Sequence, residues 1–184
     1  AYEVIKNFSV SATFKYLFSD MGRIGNSRGA SSVAFDLGVL YKCGINDWEG
    51  AGWSVGLHVS NLGPKINYLT SKDALPATVK VGGAADLPFL QMHKLTLTAD
   101  LGYRLSPADV QALSVSAGAE YAWRELVMLR GGYHCGDKKK GDASYATAGA
   151  GVEYAGVRLD FAWLFAGHEY LARNTFWVSL GYSF

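Results

Sequence analysis

Apolar residues fall at every second position through most of this chain. From Phe8 they are Phe8, Val10, Ala12, Phe14, Tyr16 and Phe18, and between them stand Ser9, Ser11, Thr13, Lys15 and Leu17. The alternation recurs over residues 33–41, 53–60, 77–85, 95–104, 113–121, 127–133, 148–154, 157–165 and 176–184, most weakly over 77–85. Successive side chains of a strand point to opposite faces, so period two predicts strands with one apolar and one polar face. The result is about ten strands of roughly nine to eleven residues, the length a tilted strand needs to cross a bilayer. Helical spacing is nearly absent.

A soluble sandwich or barrel would hide the apolar face inside; an outer-membrane barrel would turn it outward. Three features favour the membrane barrel. The apolar positions carry no charge. The opposite face is rich in Ser, Thr, Gly and Ala, which suit a crowded or watery lumen, whereas a solvent face normally carries more Lys and Glu. Aromatics gather at strand ends, as in interfacial girdles, and the chain closes on Tyr182, Ser183 and Phe184. The predicted fold is therefore all-β, a transmembrane antiparallel β-barrel of the outer-membrane type forming a single domain over 1–184.

Such barrels have short periplasmic turns and long external loops. With Phe184 on the periplasmic side, the connections at 123–125 and 155–156 are periplasmic and short. Those around 22–29, 61–76, 106–111, 135–143 and 167–174 are external. The connections at 45–50 and 87–92 are long for the periplasmic side. The largest external loop, 61–76, offers Ile66 and Tyr68 as apolar anchors and Asn61, Lys65 and Lys72 as polar or charged contacts, a mixture suited to binding a partner. The same trace puts Cys43 and Cys135 at opposite ends, too far apart to pair with each other.

Charge adds exclusions. The formal net charge of +1 points to no nucleic-acid partner, and charged residues make up 18% of the 184. Inward positions carry Lys15, Lys80, Arg104, Arg130 and Arg158 against Asp36, Asp100, Glu120, Glu153 and Asp160, which balance in sign. A balanced set fits paired charges filling the lumen; the other reading is a polar pathway. Lys138, Lys139 and Lys140 would meet lipopolysaccharide phosphates, an acidic partner or only water. The four histidines do not cluster and no metal-ligand spacing appears. Catalysis at the external mouth would draw on His134 with Asp137 or Asp142, against the simpler reading of solvated loop residues. The glycine-rich stretches precede no helix and are no phosphate loop, so no cofactor is expected. No signal-peptide pattern opens the chain at Ala1, which implies a removed leader or a start inside a longer protein.

Specific text then carries a resemblance. HVSNLGPKINY, with LPATVKVGGA after it, resembles the PorV family of the Bacteroidota type IX secretion system. FSVSATFKYLFS, VAFDLGVLYK, LTLTADLGYRL, SAGAEYAW, LRGGYH, AGAGVEYAGVRLDFAW and FWVSLGYSF are similar to the same family; the run from Asn61 to Ile66 is the most distinctive. The resemblance implies a FadL-like barrel of about fourteen strands. This chain would be its C-terminal part, lacking about four strands and an N-terminal segment, with a complete ten-strand barrel as the alternative. It also implies a non-enzymatic translocon subunit in the outer membrane, among lipids and lipopolysaccharide. Such a subunit takes cargo by a C-terminal signal domain from the large secretion channel barrel and carries it to the surface attachment complex. The competing classes are a FadL-like transporter of hydrophobic small molecules and a lipid-modifying surface enzyme.

Overall fold

Five tight connections and five longer ones set the shape of the molecule. A computed structural model describes residues 2–19, 30–67, 72–167 and 175–183. The strands are β1 (Tyr2–Ile5), β2 (Phe8–Ser19), β3 (Ala30–Gly44), β4 (Gly52–Leu62), β5 (Ile66–Asn67), β6 (Lys72–Asp73), β7 (Thr78–Phe89), β8 (His93–Arg104), β9 (Leu113–Trp123), β10 (Val127–Cys135), β11 (Tyr145–Tyr154), β12 (Val157–Ala166) and β13 (Phe176–Tyr182). Eleven of them form one antiparallel sheet in chain order, with β4 pairing directly to β7; β5 and β6 form a separate two-stranded ribbon in the longest connection. β1 and β13 are the sheet's edges, and no ladder joins them among the described residues.

All ten alternating segments are strands, and the register keeps like faces together: Leu101 stands opposite Val115 and Val81, and Asp100 opposite Ser116 and Gly82. Two features differ from the expectation. β1 adds an eleventh strand, too short to show period two in sequence. The connection expected at 87–92 shrinks to 90–92, because β7 runs through Pro88 to Phe89. Proline usually ends a strand for want of an N–H. Here the β4 ladder stops at Asp86, so on that side Pro88 has no neighbouring strand to donate to. Its carbonyl instead accepts the Trp48 indole N–H at 2.7 Å.

The tight connections lie at one end of the sheet, at 6–7, 45–51, 90–92, 124–126 and 155–156. Three of them place two successive residues at positive φ: Leu90 and Gln91, Arg124 and Glu125, Ala155 and Gly156. That backbone matches the twist of a two-stranded hairpin. The longer connections share the other end, which we call the wide mouth. Cys43 and Cys135 lie toward opposite ends and are both free.

The molecule is inside out relative to a soluble protein. The outward residues Leu101, Val115 and Leu159 are 49%, 46% and 50% exposed, while inward Asp36 is 7% exposed. The buried apolar set is mostly alanine, with Leu75, Met128 and Leu164 as its larger members. The accessible surface is 12966 Å², against roughly 8,700 Å² for a compact soluble monomer of this mass. Rings pair along the outer face, Phe14 on Phe35 and Tyr41 on Trp53. An apolar outward face of this kind is the one that membrane barrels turn to lipid. Among the described residues no helix is long and apolar enough to cross a membrane.

This sidedness makes a prediction on one strand. Leu101→Arg should cost about 2–4 kcal/mol of stability in lipid, whereas Thr98→Arg, three residues away on the inner face, should cost far less. Urea unfolding in lipid vesicles measures both, and equal losses would contradict the assignment of faces.

Candidate functional site

The distinctive run beginning at Asn61 is where β4 leaves the sheet. Between Leu37 opposite Val59 and Phe35 opposite Leu62, β4 holds one residue more than β3, a bulge over Ser60 and Asn61. Asn61 sits at φ 57, a conformation asparagine tolerates better than most residues. Its backbone N–H donates to Asp36 Oδ1 at 2.8 Å, its Oδ1 accepts from Lys15 Nζ at 3.2 Å, and its Nδ2 donates to the Pro76 carbonyl at 3.1 Å. Lys15 also pairs with Asp36. One residue thus joins β2 and β3 to both ends of the long connection, β3 through its backbone N–H and the others through its side chain. Gly63 comes next, where a Cβ would collide with the Val33 carbonyl, and the Ser32 hydroxyl donates to the Pro64 carbonyl at 3.1 Å. The connection therefore leans on the inner face of β3, where Ala30, Ser32, Ala34, Asp36 and Leu75 are all buried.

A second cluster covers the inner face of β9 to β12. Arg130 pairs with Glu120 on β9 and Asp160 on β12, and Arg158 pairs with Asp160 at 2.7 Å and Glu153 at 3.5 Å. Arg130 reaches across β11 because Gly151 stands between: a Cβ there would press on Asp160 Oδ1 and the Arg130 guanidinium. Next to this filled sector lies a hollow of about 460 Å³, lined among others by Ser9, Ser11, Gly38, Gly56, His58 and Thr98. Lys80 and Asp100 also line it. Among the described residues the inner face is therefore packed with ion pairs on one side and hollow on the other.

At the wide mouth the loops hold one another. Arg104 donates to the Lys140 carbonyl at 3.1 Å, and Lys140 Nζ donates to the Asp109 carbonyl at 3.1 Å. Lys138–Lys140 form a 3₁₀ turn in which Asp137 Oδ1 accepts the Lys139 backbone N–H at 2.9 Å, and Gly141 closes it at φ 75. His134 takes Asp142 as its partner, Nε2 to Oδ1 at 3.0 Å, and not Asp137. On the other side of the ring, Ser116 Oγ meets Nδ1 at 3.0 Å, and Tyr145 stacks on the imidazole. With Nε2–H donating to the carboxylate and the hydroxyl donating to Nδ1, all three groups are satisfied in the neutral tautomer. The order resembles a Ser-His-Asp relay, but the strand around Ser116 is in ladder with both β8 and β10. The Ser116 backbone is engaged in these ladders, so among the described residues its strand offers no pair of free N–H groups of the kind that stabilises an acyl intermediate. What the chain of bonds does is tie the 136–144 connection to the sheet.

Of the contact residues expected in the long connection, Asn61 is half-buried, Lys65 and Lys72 are exposed, Ile66 is half-buried in β5, and Tyr68 lies outside the described residues. Phe184 and His168 lie outside them as well. The anchoring role of Asn61 had one trace in the sequence: alternation puts position 61 on the apolar face, and a polar residue there signals that the pattern has slipped. Ser116 left no trace, since its partner comes from the next strand.

Asn61→Ala should lower stability by about 2 kcal/mol, roughly half from forcing alanine to positive φ and half from lost hydrogen bonds. Asn61→Gly should recover the backbone half. Urea midpoints report the totals, and proteolysis within 63–77 reports release of the connection; unchanged values for Asn61→Ala would refute the anchor.

No curated protein matches the chain. The family model described as type IX secretion system protein PorV matches residues 1–111, which hold β1 to β8 and the Asn61 anchor. A match over that share of the chain, on an antiparallel sheet with its apolar face outward, establishes that the chain belongs to the PorV family of type IX secretion system proteins.

Proposed function

We propose that this protein is an outer-membrane subunit of the type IX secretion machinery that binds cargo by its C-terminal signal domain. In this reading it receives cargo from the large secretion channel barrel and passes it to the surface attachment complex. The observation that carries it is the wide mouth: the described residues of the connections at 63–77, 105–112 and 136–144 are bonded to the sheet or to one another, so the scaffold presents a platform at one end. Ordered loops on a rigid sheet are where binding sites concentrate. Lys65, Ile66, Tyr68 and Lys72 form the contact surface, and Asn61 supports it from beneath. The apolar wall faces outer-membrane lipid and the partner barrel, with lipopolysaccharide around the external rim.

A second reading, a FadL-like transporter of hydrophobic small molecules, draws support from the hollow of about 460 Å³ on the inner face. The two readings separate in one experiment. Replacing 65–74 with a short Gly-Ser linker leaves Asn61, Gly63 and Pro64 in place, so the sheet should still assemble. Cargo should then fail to reach the cell surface and the channel barrel should no longer co-purify. Normal export with this variant would favour the transporter.

The orientation is tested separately. An impermeant maleimide applied to whole cells should label the exposed Cys135 at the wide mouth and spare Cys43 toward the tight turns. Labelling of Cys43 alone would invert the molecule in the membrane.

A further inference from the structure

The inward cations of this sheet divide into two kinds. Lys15, Lys94, Arg130 and Arg158 each face a carboxylate. Lys80 and Arg104 face none within ion-pair distance among the described residues, nor does Lys42 near the tight turns. Lys80 and Arg104 both line one cleft of about 320 Å³ at the wide mouth, together with Thr78, Ser114, His134 and Asp142. Lys80 stands opposite Gly102 and Thr78 opposite Arg104, so Lys80 and Arg104 are diagonal neighbours on one face of β7 and β8. Gly102 leaves its inward position bare, and the Lys80 stem lies over it. The Arg104 guanidinium is steadied by its bond to the Lys140 carbonyl, which leaves its other N–H groups available. Asp142, the carboxylate in the cleft, is engaged by His134. Asp100 lines the adjoining hollow, which Lys80 also lines, but not this cleft, and it lies beyond ion-pair distance of Lys80.

We propose that this cleft is a binding site for a phosphate group, held between Lys80 and Arg104. Two positive groups from different strands, with the Ser114 hydroxyl beside them, supply several converging donors, while the Thr78 hydroxyl is shared with Ser60 Oγ at 2.6 Å. A tetrahedral phosphate with three or more acceptor oxygens uses such a set more fully than a planar carboxylate does. The cleft has room for a phosphate together with the group that carries it. The assignment stands on these side chains alone and is independent of cargo carriage. The phosphate comes either from a lipid headgroup or from solution, and the chemistry at Lys80 and Arg104 is the same for both.

The test uses the full chain, delipidated in an uncharged detergent, titrated calorimetrically with inorganic phosphate and with dihexanoyl phosphatidic acid. Saturable binding of at least one probe to one site per chain is expected. Lys80→Gln with Arg104→Gln should weaken it about tenfold or more, and Lys80→Gln alone should weaken it by less. Lys138→Gln with Lys139→Gln, on the exposed 3₁₀ turn, should bind as the parent does. Tighter binding of the lipid probe assigns a headgroup, and equal binding assigns the phosphate alone. No saturable binding of either probe to the parent chain overturns the proposal without recourse to any variant. So does undiminished binding by the Lys80→Gln and Arg104→Gln protein, or equal loss in the Lys138→Gln and Lys139→Gln protein.

Discussion

A backbone N–H or C=O in hydrocarbon has no water to turn to, and each one left unpaired costs several kcal/mol. Most features of this molecule follow from that constraint. The chain spends its length on long antiparallel ladders, in which each interior strand has a partner on both sides. The outer face can then be apolar throughout, because no polar main-chain group there needs solvent. The inner face is released from packing duty and carries glycine, serine and threonine. No large apolar side chain is fully buried among the described residues, so cohesion rests on the ladders, the lipid contact and a few charge clusters. Irregular backbone is confined to the two ends, and the polar anchors of the wide mouth gather there.

The charge clusters divide the inner face by sector. Arg130 braces β9 through β12 from inside, reaching over Gly151 to do so. Lys15, Asp36 and Asn61 brace β2 through β4 at the wide mouth. Between them lies the hollow. Ion pairs of this kind are partly exposed and contribute modestly one by one. Their value here is positional: each fixes strands or connections that the ladders alone leave free to splay.

The strands were legible because period two was nearly unbroken, and the match of register to pattern follows from it. What escaped reading has particular causes. β1 is four residues long and offers no repeat to detect. Pro88 reads as a strand end, and only the early stop of the β4 ladder makes room for it. Asn61 reads as the start of a loop, while its three bonds depend on residues 15, 36 and 76, distant in sequence. The choice of Asp142 over Asp137 for His134 is set by how Gly141 turns the chain, since Asp137 is taken up capping the 3₁₀ turn. Inward charges were identifiable as a set, but their pairing was not, because partners across strands depend on register.

The sheet runs in chain order, and nearly every strand meets its immediate successor. Each new ladder therefore closes only a small loop, and the entropy of closure rises slowly with loop size. Contacts of low sequence separation form quickly. One closure among the described connections departs from this, the step from β4 to β7 across 63–77. There the bulge, the Gly63 contact and the Asn61 bond to Pro76 hold the two ends of the segment close beside the ladder. The residues that shape the wide mouth are thus also the ones that bridge the longest closure among the described connections.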